Sequence, residues 1–124
     1  ARVWRKRYGA GMRQVGLLAA AGHYALDHNI APLAEDHRRA KEIAVALNAI
    51  VPSVIDPATV QTNIVGLDLA ELNITAAELA TRCKAEGLLI GALGPKYERL
   101  VTHLDIDDAG TAYAIEVLKR ALVG

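Results

Sequence analysis

TNIVGLDLAELNITAAELATRCKAEGLLIGALGPKYERLVTHLD, running from Thr62 to Asp105, switches period twice, and the fold follows from those switches. "TNIVGLDL" (Thr62 to Leu69) reads as a strand. Thr75 followed three residues later by Glu78 is a capping box, which opens a helix with apolar positions Ala76, Leu79, Ala80 and Cys83. Gly87 closes that helix in the left-handed conformation that glycine adopts without steric cost. "LLIGAL" (Leu88 to Leu93) is a second strand, Gly94-Pro95 a turn, and "RLVTHL" (Arg99 to Leu104) a third strand.

Upstream, a small-residue helix is expected from about Met12 to His28, opened by the Gly9-Ala10-Gly11 turn and closed at Asn29, a residue tolerant of left-handed backbone. Pro32 stands where a helix's first residue belongs, and Leu33, His37, Ala40, Ala44 and Leu47 form an amphipathic stripe. Downstream, Asp107 caps a last helix that turns Ala112, Ile115, Leu118 and Leu122 inward. The order is helix, helix, strand, helix, strand, strand, helix. It specifies an α/β chain in which long helices precede a small three-stranded sheet with helices over one face.

With 124 residues the chain has the size of one ordinary domain. Phe is absent and aromatics are scarce, so the core is built from Ala, Leu, Ile and Val. The formal charge is zero, yet Arg2, Arg5, Lys6, Arg7 and Arg13 all precede the first acid, Asp27. Such asymmetry points to an anionic partner such as phosphate, nucleic acid or a neighbouring subunit. The lone Cys83 excludes an internal disulfide and suits a reducing compartment or indifference to redox. No apolar run is long enough to span a bilayer, and no signal peptide is visible. The chain opens on Ala1 without an initiator Met, which reads as a fragment or processed piece of something longer.

Two places could carry chemistry. Glycines before a helix N-terminus let an anion approach the backbone, and Lys6 and Arg13 flank the Gly9-Ala10-Gly11 turn; a solvated basic turn is the plain alternative. In "RLVTHLD" alternation puts Arg99, Val101 and His103 on one strand face and Leu100, Thr102 and Leu104 on the other. Arg99 on an inner strand suits a carboxylate, whereas on an edge strand it would reach solvent. His103, four residues along, lies roughly 13 Å away at about 3.3 Å per residue and reads as structural. No histidine or cysteine pair has a zinc spacing, and Cys83 reads as a small core residue.

"RKRYGAGMRQVGLLAAAGHYAL", "LAEDHRRA", "QTNIV" and "RLVTHLD" together resemble the C-terminal part of the low-specificity L-threonine aldolase family. These are pyridoxal-phosphate enzymes of the aspartate-aminotransferase-like fold. The resemblance covers essentially the whole chain and implies that residues 1–31 are the end of the large cofactor domain with its connecting helix, and residues 32–124 the small C-terminal domain. It further implies a carbon-carbon lyase that cleaves L-threonine or L-allo-threonine to glycine and acetaldehyde, in a cytoplasmic homotetramer, with no nucleic-acid or membrane partner and no metal.

In the family's pattern Arg99 falls where an arginine binds the substrate α-carboxylate, and Lys6 and Arg13 match basic residues near the pyridoxal phosphate. Two departures stand out. Ala10 replaces the middle one of three glycines, acceptable if that position needs no positive φ. The cofactor lysine of the family has no counterpart among Lys6, Lys41, Lys84, Lys96 and Lys119, so these residues without the rest of an aldolase chain are expected to be inactive, with no catalytic residue of their own. The competing readings are a related pyridoxal-phosphate lyase acting on other β-hydroxy amino acids, a nucleic-acid or protein-binding module using the basic start, and an assembly-only subunit.

Overall fold

The computed structural model describes residues 1–124, which divide into two compact units, Ala1–Ala31 and Pro32–Gly124. The first unit holds α1 (Arg2–Arg7) and α2 (Gly16–His28), neither of which buries a residue. No sequence pattern anticipates α1, and α2 begins at Gly16, four residues after the expected Met12. Gly9 (φ +79°) and Gln14 (φ +54°) both take left-handed backbone, and the stretch they bracket is not helical. Ala10 is spared that conformation, so its methyl group is tolerated where a glycine was expected. Asn29 ends α2 at φ −110°, not in the left-handed region.

The second unit comprises α3 (Leu33–Asn48), a 3-10 turn at Pro57–Thr59, β1 (Ile64–Asp68), α4 (Ala76–Ala85), β2 (Gly91–Gly94), β3 (Tyr97–Val101) and α5 (Asp108–Val123). The three strands form one antiparallel sheet in the order β1-β3-β2, which makes β3 the inner strand. Helices pack on one face only, against Val65, Leu67 and Glu98, while Ile64, Asp68, Tyr97, Arg99 and Val101 are exposed on the other. Leu47, Leu67, Leu69, Leu79 and Leu118 are the largest fully buried apolar side chains, in keeping with a core without Phe.

Local chemistry accounts for the helix ends. The Thr75 N–H donates to Glu78 Oε2 at 2.7 Å and the Glu78 N–H donates to Thr75 Oγ1 at 3.2 Å, which completes the capping box of α4. Those bonds from Thr75 hold the Glu78 carboxyl below the usual carboxylate range. Gly87, at φ +83°, takes the left-handed place after the helix. Asp107 Oδ1 accepts from the Gly110 N–H at 2.7 Å and caps α5.

Three expectations shift. The inward stripe of α3 is Asp36, Ala40, Ile43, Ala44 and Leu47, with Leu33 and His37 exposed. Asp36 replaces them because its carbonyl accepts from Thr102 Oγ1 at 2.6 Å and its carboxylate lies 4.0 Å from Arg39. On α5, Ala112 is exposed and Thr111 takes the inward place, its hydroxyl donating to the Asp107 carbonyl at 2.8 Å. The strands β2 and β3 slide toward their shared turn: Leu88–Ile90 stay outside the ladder, and Tyr97 and Glu98 enter it. Lys96 anchors that turn by donating to the carbonyls of Leu72 and Ile74 at 2.5 and 3.0 Å.

One group conflicts with its surroundings. Glu98 has no exposed surface, and neither carboxylate oxygen meets a hydrogen-bond donor. Burial alone raises its pKa, with no cation contributing. On α4 the nearby titratable group is Cys83, whose thiol is pushed up to about 11 by burial first and by Glu98 second. A carboxyl with a raised folded pKa contributes stability that is fully present below its unfolded pKa and lost as pH rises through the folded one. Glu98→Leu is therefore expected to raise stability near neutral pH by about 1–3 kcal/mol and to remove this decline, as read from urea unfolding at several pH values. Thr75→Ala, which breaks the capping box, is expected to cost about 1 kcal/mol in the same measurement.

Candidate functional site

The ladder places Arg99 in a row of three, opposite Gly66 on β1 and opposite Gly91 on β2. Neither neighbour has a side chain, so no β1 or β2 residue of that row stands beside the Arg99 side chain on the open face of the sheet. Eight ion pairs occur in the chain, and they engage Arg38, Arg39, His103, Lys119 and Arg120 but not Arg99. An arginine on an inner strand with no acid in reach presents a planar fork free for a bidentate carboxylate.

Beside Arg99 lies a cavity of about 610 Å³, lined on the apolar side by Leu88, Ile90, Val101 and Ile106 and also by His103. His103, read from the sequence as structural, is exposed and shares this cavity with Arg99. Its Nδ1 accepts from the Asp105 N–H at 3.3 Å, with the Asp105 carboxylate 3.7 Å away.

In the first unit the basic residues crowd around the turn that follows α1. Arg2, Arg5 and Lys6 line a cavity of about 300 Å³. Arg5 Nε donates to the Ala10 carbonyl at 3.0 Å, which folds the turn back on the helix. A Cβ at Gly11 would lie 3.3 Å from Lys6 Nζ, so the missing side chain leaves room for the ammonium group. Arg13 lies in the turn before α2 rather than on the helix, and does not line that cavity. The glycine turn also ends before α2 begins, so the expected juxtaposition of glycines and helix N-terminus is not formed. Arg7 lies over the Trp4 ring at 5.1 Å and is thereby occupied.

Two neighbours of Arg99 were missed in the sequence. Glu98 could have been found by parity, since it stands two residues before Leu100 on the same face. The placement of Tyr97, whose ring covers Gly66, depends on cross-strand register and left no local signal.

Residues 1–70 match the model of the beta-eliminating lyase family, and the chain belongs to that family, whose enzymes depend on pyridoxal phosphate. Within it, the chain is 45% identical over 103 residues to the low specificity L-threonine aldolase of Escherichia coli (strain K12), a match covering 83% of this chain and 29% of that protein. It is 32% identical over 124 residues to low-specificity L-threonine aldolase 1 of Arabidopsis thaliana, covering 99% of this chain and 35% of the relative. The chain thus spans about a third of the length of the curated relatives it matches, in their C-terminal part. The mixed α/β architecture with its antiparallel three-stranded sheet agrees with the C-terminal part of an aminotransferase-like fold.

Proposed function

We propose that this chain is the C-terminal portion of a pyridoxal-phosphate-dependent aldolase that cleaves L-threonine or L-allo-threonine to glycine and acetaldehyde. The observation that carries the proposal is Arg99: an unpaired guanidinium on an inner strand, between two glycines, on the face the helices leave open. It binds the substrate α-carboxylate through two parallel N–H donors and so fixes how the amino acid is turned. The pyridoxal ring, when bound, takes up the electrons left by the broken Cα–Cβ bond. Residues 1–31 form the end of the large cofactor domain, and residues 32–124 the small domain.

Lys6 and Arg13 are assigned to the cofactor phosphate. For Lys6 the support is the donor set, since its cavity is lined by cations alone and Gly11 leaves its ammonium unobstructed; Arg13 lies outside that cavity and rests on the family resemblance. A dianionic phosphate fits that chemistry. These cations bind and orient; no proton transfer is assigned to them. Without the lysine that carries the cofactor in this family, the 124 residues are catalytically silent by themselves.

The assembly we propose is a homotetramer, supported by the exposed Leu17, Leu18, Tyr24 and Leu26 of α2, a helix with no buried residue. A cytoplasmic setting is supported by Cys83, a lone buried cysteine. No helix is long and apolar enough to cross a membrane.

A second reading, elimination rather than aldol cleavage, is favoured by the description of the matching family. Product analysis on the full-length holoenzyme separates the two: glycine and acetaldehyde support the aldolase, whereas pyruvate or another 2-oxo acid with ammonia overturns it. In the same assay Arg99→Ala is expected to cost ~2–4 kcal/mol of substrate binding, read as a rise in KM for L-threonine. Unchanged KM and kcat would remove Arg99 from the site.

A further inference from the structure

The open face of the sheet carries a second polar group next to Arg99. Tyr97 precedes it by two residues on β3 and emerges on the same face. A Cβ placed on Gly66 would lie 2.2 Å from the Tyr97 hydroxyl oxygen and 3.0 Å from Cζ, so the phenol end lies directly over Gly66. Gly66 is also the residue opposite Arg99. The Thr102 N–H donates to the Asn63 carbonyl at 3.0 Å, and this pair lies three rungs along the same ladder. Alternation then makes Gly66 and Arg99 a non-hydrogen-bonded pair, the closer kind, with Cα atoms about 4.5 Å apart.

The hydroxyl therefore stands over the backbone directly across from the base of the Arg99 side chain. It has no hydrogen-bond partner in the chain, unlike Tyr113, whose hydroxyl donates to the Glu86 carbonyl. It is also accessible, because Tyr97 is 45% exposed and lines an open cavity of about 530 Å³ with Thr59, Gln61 and Thr62. Arg99 lines the cavity on the other side of β3, so the phenol brings a neutral donor to the β1 side of the Arg99 row without adding repulsion. A carboxylate held by two guanidinium N–H groups keeps lone pairs to accept a third bond.

We infer that Tyr97 is a positioning residue for the substrate carboxylate, its hydroxyl held over Gly66 as a further hydrogen-bond donor alongside Arg99. This rests on the reading of Arg99 given above. Gly66 then has a role in recognition as well as in the strand. An alanine there would displace the phenol, the far end of a half-exposed side chain that can swing away without unfolding the sheet.

The test compares Tyr97→Phe, Gly66→Ala, their combination and Arg99→Ala in the full-length holoenzyme, using the glycine dissociation constant from calorimetry together with KM and kcat for L-threonine. Tyr97→Phe keeps the ring and is expected to raise the glycine dissociation constant and KM about three- to tenfold, with kcat within about twofold and an unchanged unfolding midpoint. Gly66→Ala should do the same, and the double variant should be no worse than either alone, since both remove one contact. Parent-like glycine binding in Tyr97→Phe, with binding lost in Arg99→Ala, would overturn the role of Tyr97 and leave that of Arg99 standing. Parent-like binding in both would overturn the reading of Arg99 itself.

Discussion

Two-residue alternation along β3 is the constraint from which the rest of the second unit follows. Its even-numbered residues Glu98 and Leu100 face the helices, its odd-numbered residues Tyr97, Arg99 and Val101 face away, and β1 and β2 hold that phase from both sides. A slip of one residue would drive a guanidinium into a core of Leu, Val and Ala, which no rearrangement of nearby acids could offset. Lys96 and Thr102, one residue beyond each end of β3, fix the phase by hydrogen bonds to Leu72, Ile74, Asn63 and Asp36. Glu98 itself gains nothing from this phase, so the register is held by the apolar groups and the end locks against the preference of that one carboxyl.

The cations sort by location. Arg38 and Arg39 join Glu35, Glu42 and Asp108, which ties α3 to the start of α5, and Arg120 reaches Glu86. Bonds from Arg39 first and Arg38 second hold the Asp108 carboxyl below its usual range, at a helix N-terminus where negative charge is already favoured. Exposed pairs of this kind add little to stability. Lys6, Arg13 and Arg99, the three that the family resemblance singles out, take part in no ion pair, a condition they share with Arg2, Arg5, Arg7, Lys41, Arg82, Lys84 and Lys96.

The features legible in the sequence were those set by neighbours a few residues apart. The Thr75/Glu78 box, the left-handed Gly87 and the Asp107 cap are local bonds with fixed spacing, and each forms where its spacing places it. Strand limits were less legible because they depend on how the Gly94–Tyr97 turn sets the pairing of β2 with β3, including a bulge between Ala92 and Gly94. The choice between His37 and Asp36 on α3 was decided by Thr102, which lies 66 residues away. Arg99 could be placed on a strand face from alternation alone, but that both its neighbours are glycines emerges only once three strands are aligned. The cofactor link came through family likeness, since no spacing of residues in the chain specifies a pyridoxal ring.

Parts of both rims of the sheet are closed to a further strand. β2 is four residues long and irregular, a poor template for another strand. On the far rim the Asp68 N–H is already taken by the Val54 carbonyl at 2.9 Å. Addition of a strand from a second molecule is thus opposed along β2 and at the Asp68 end of β1. At those points another chain could meet the sheet only through side chains, whose chemistry is written in sequence, and not through peptide groups, which are common to every strand.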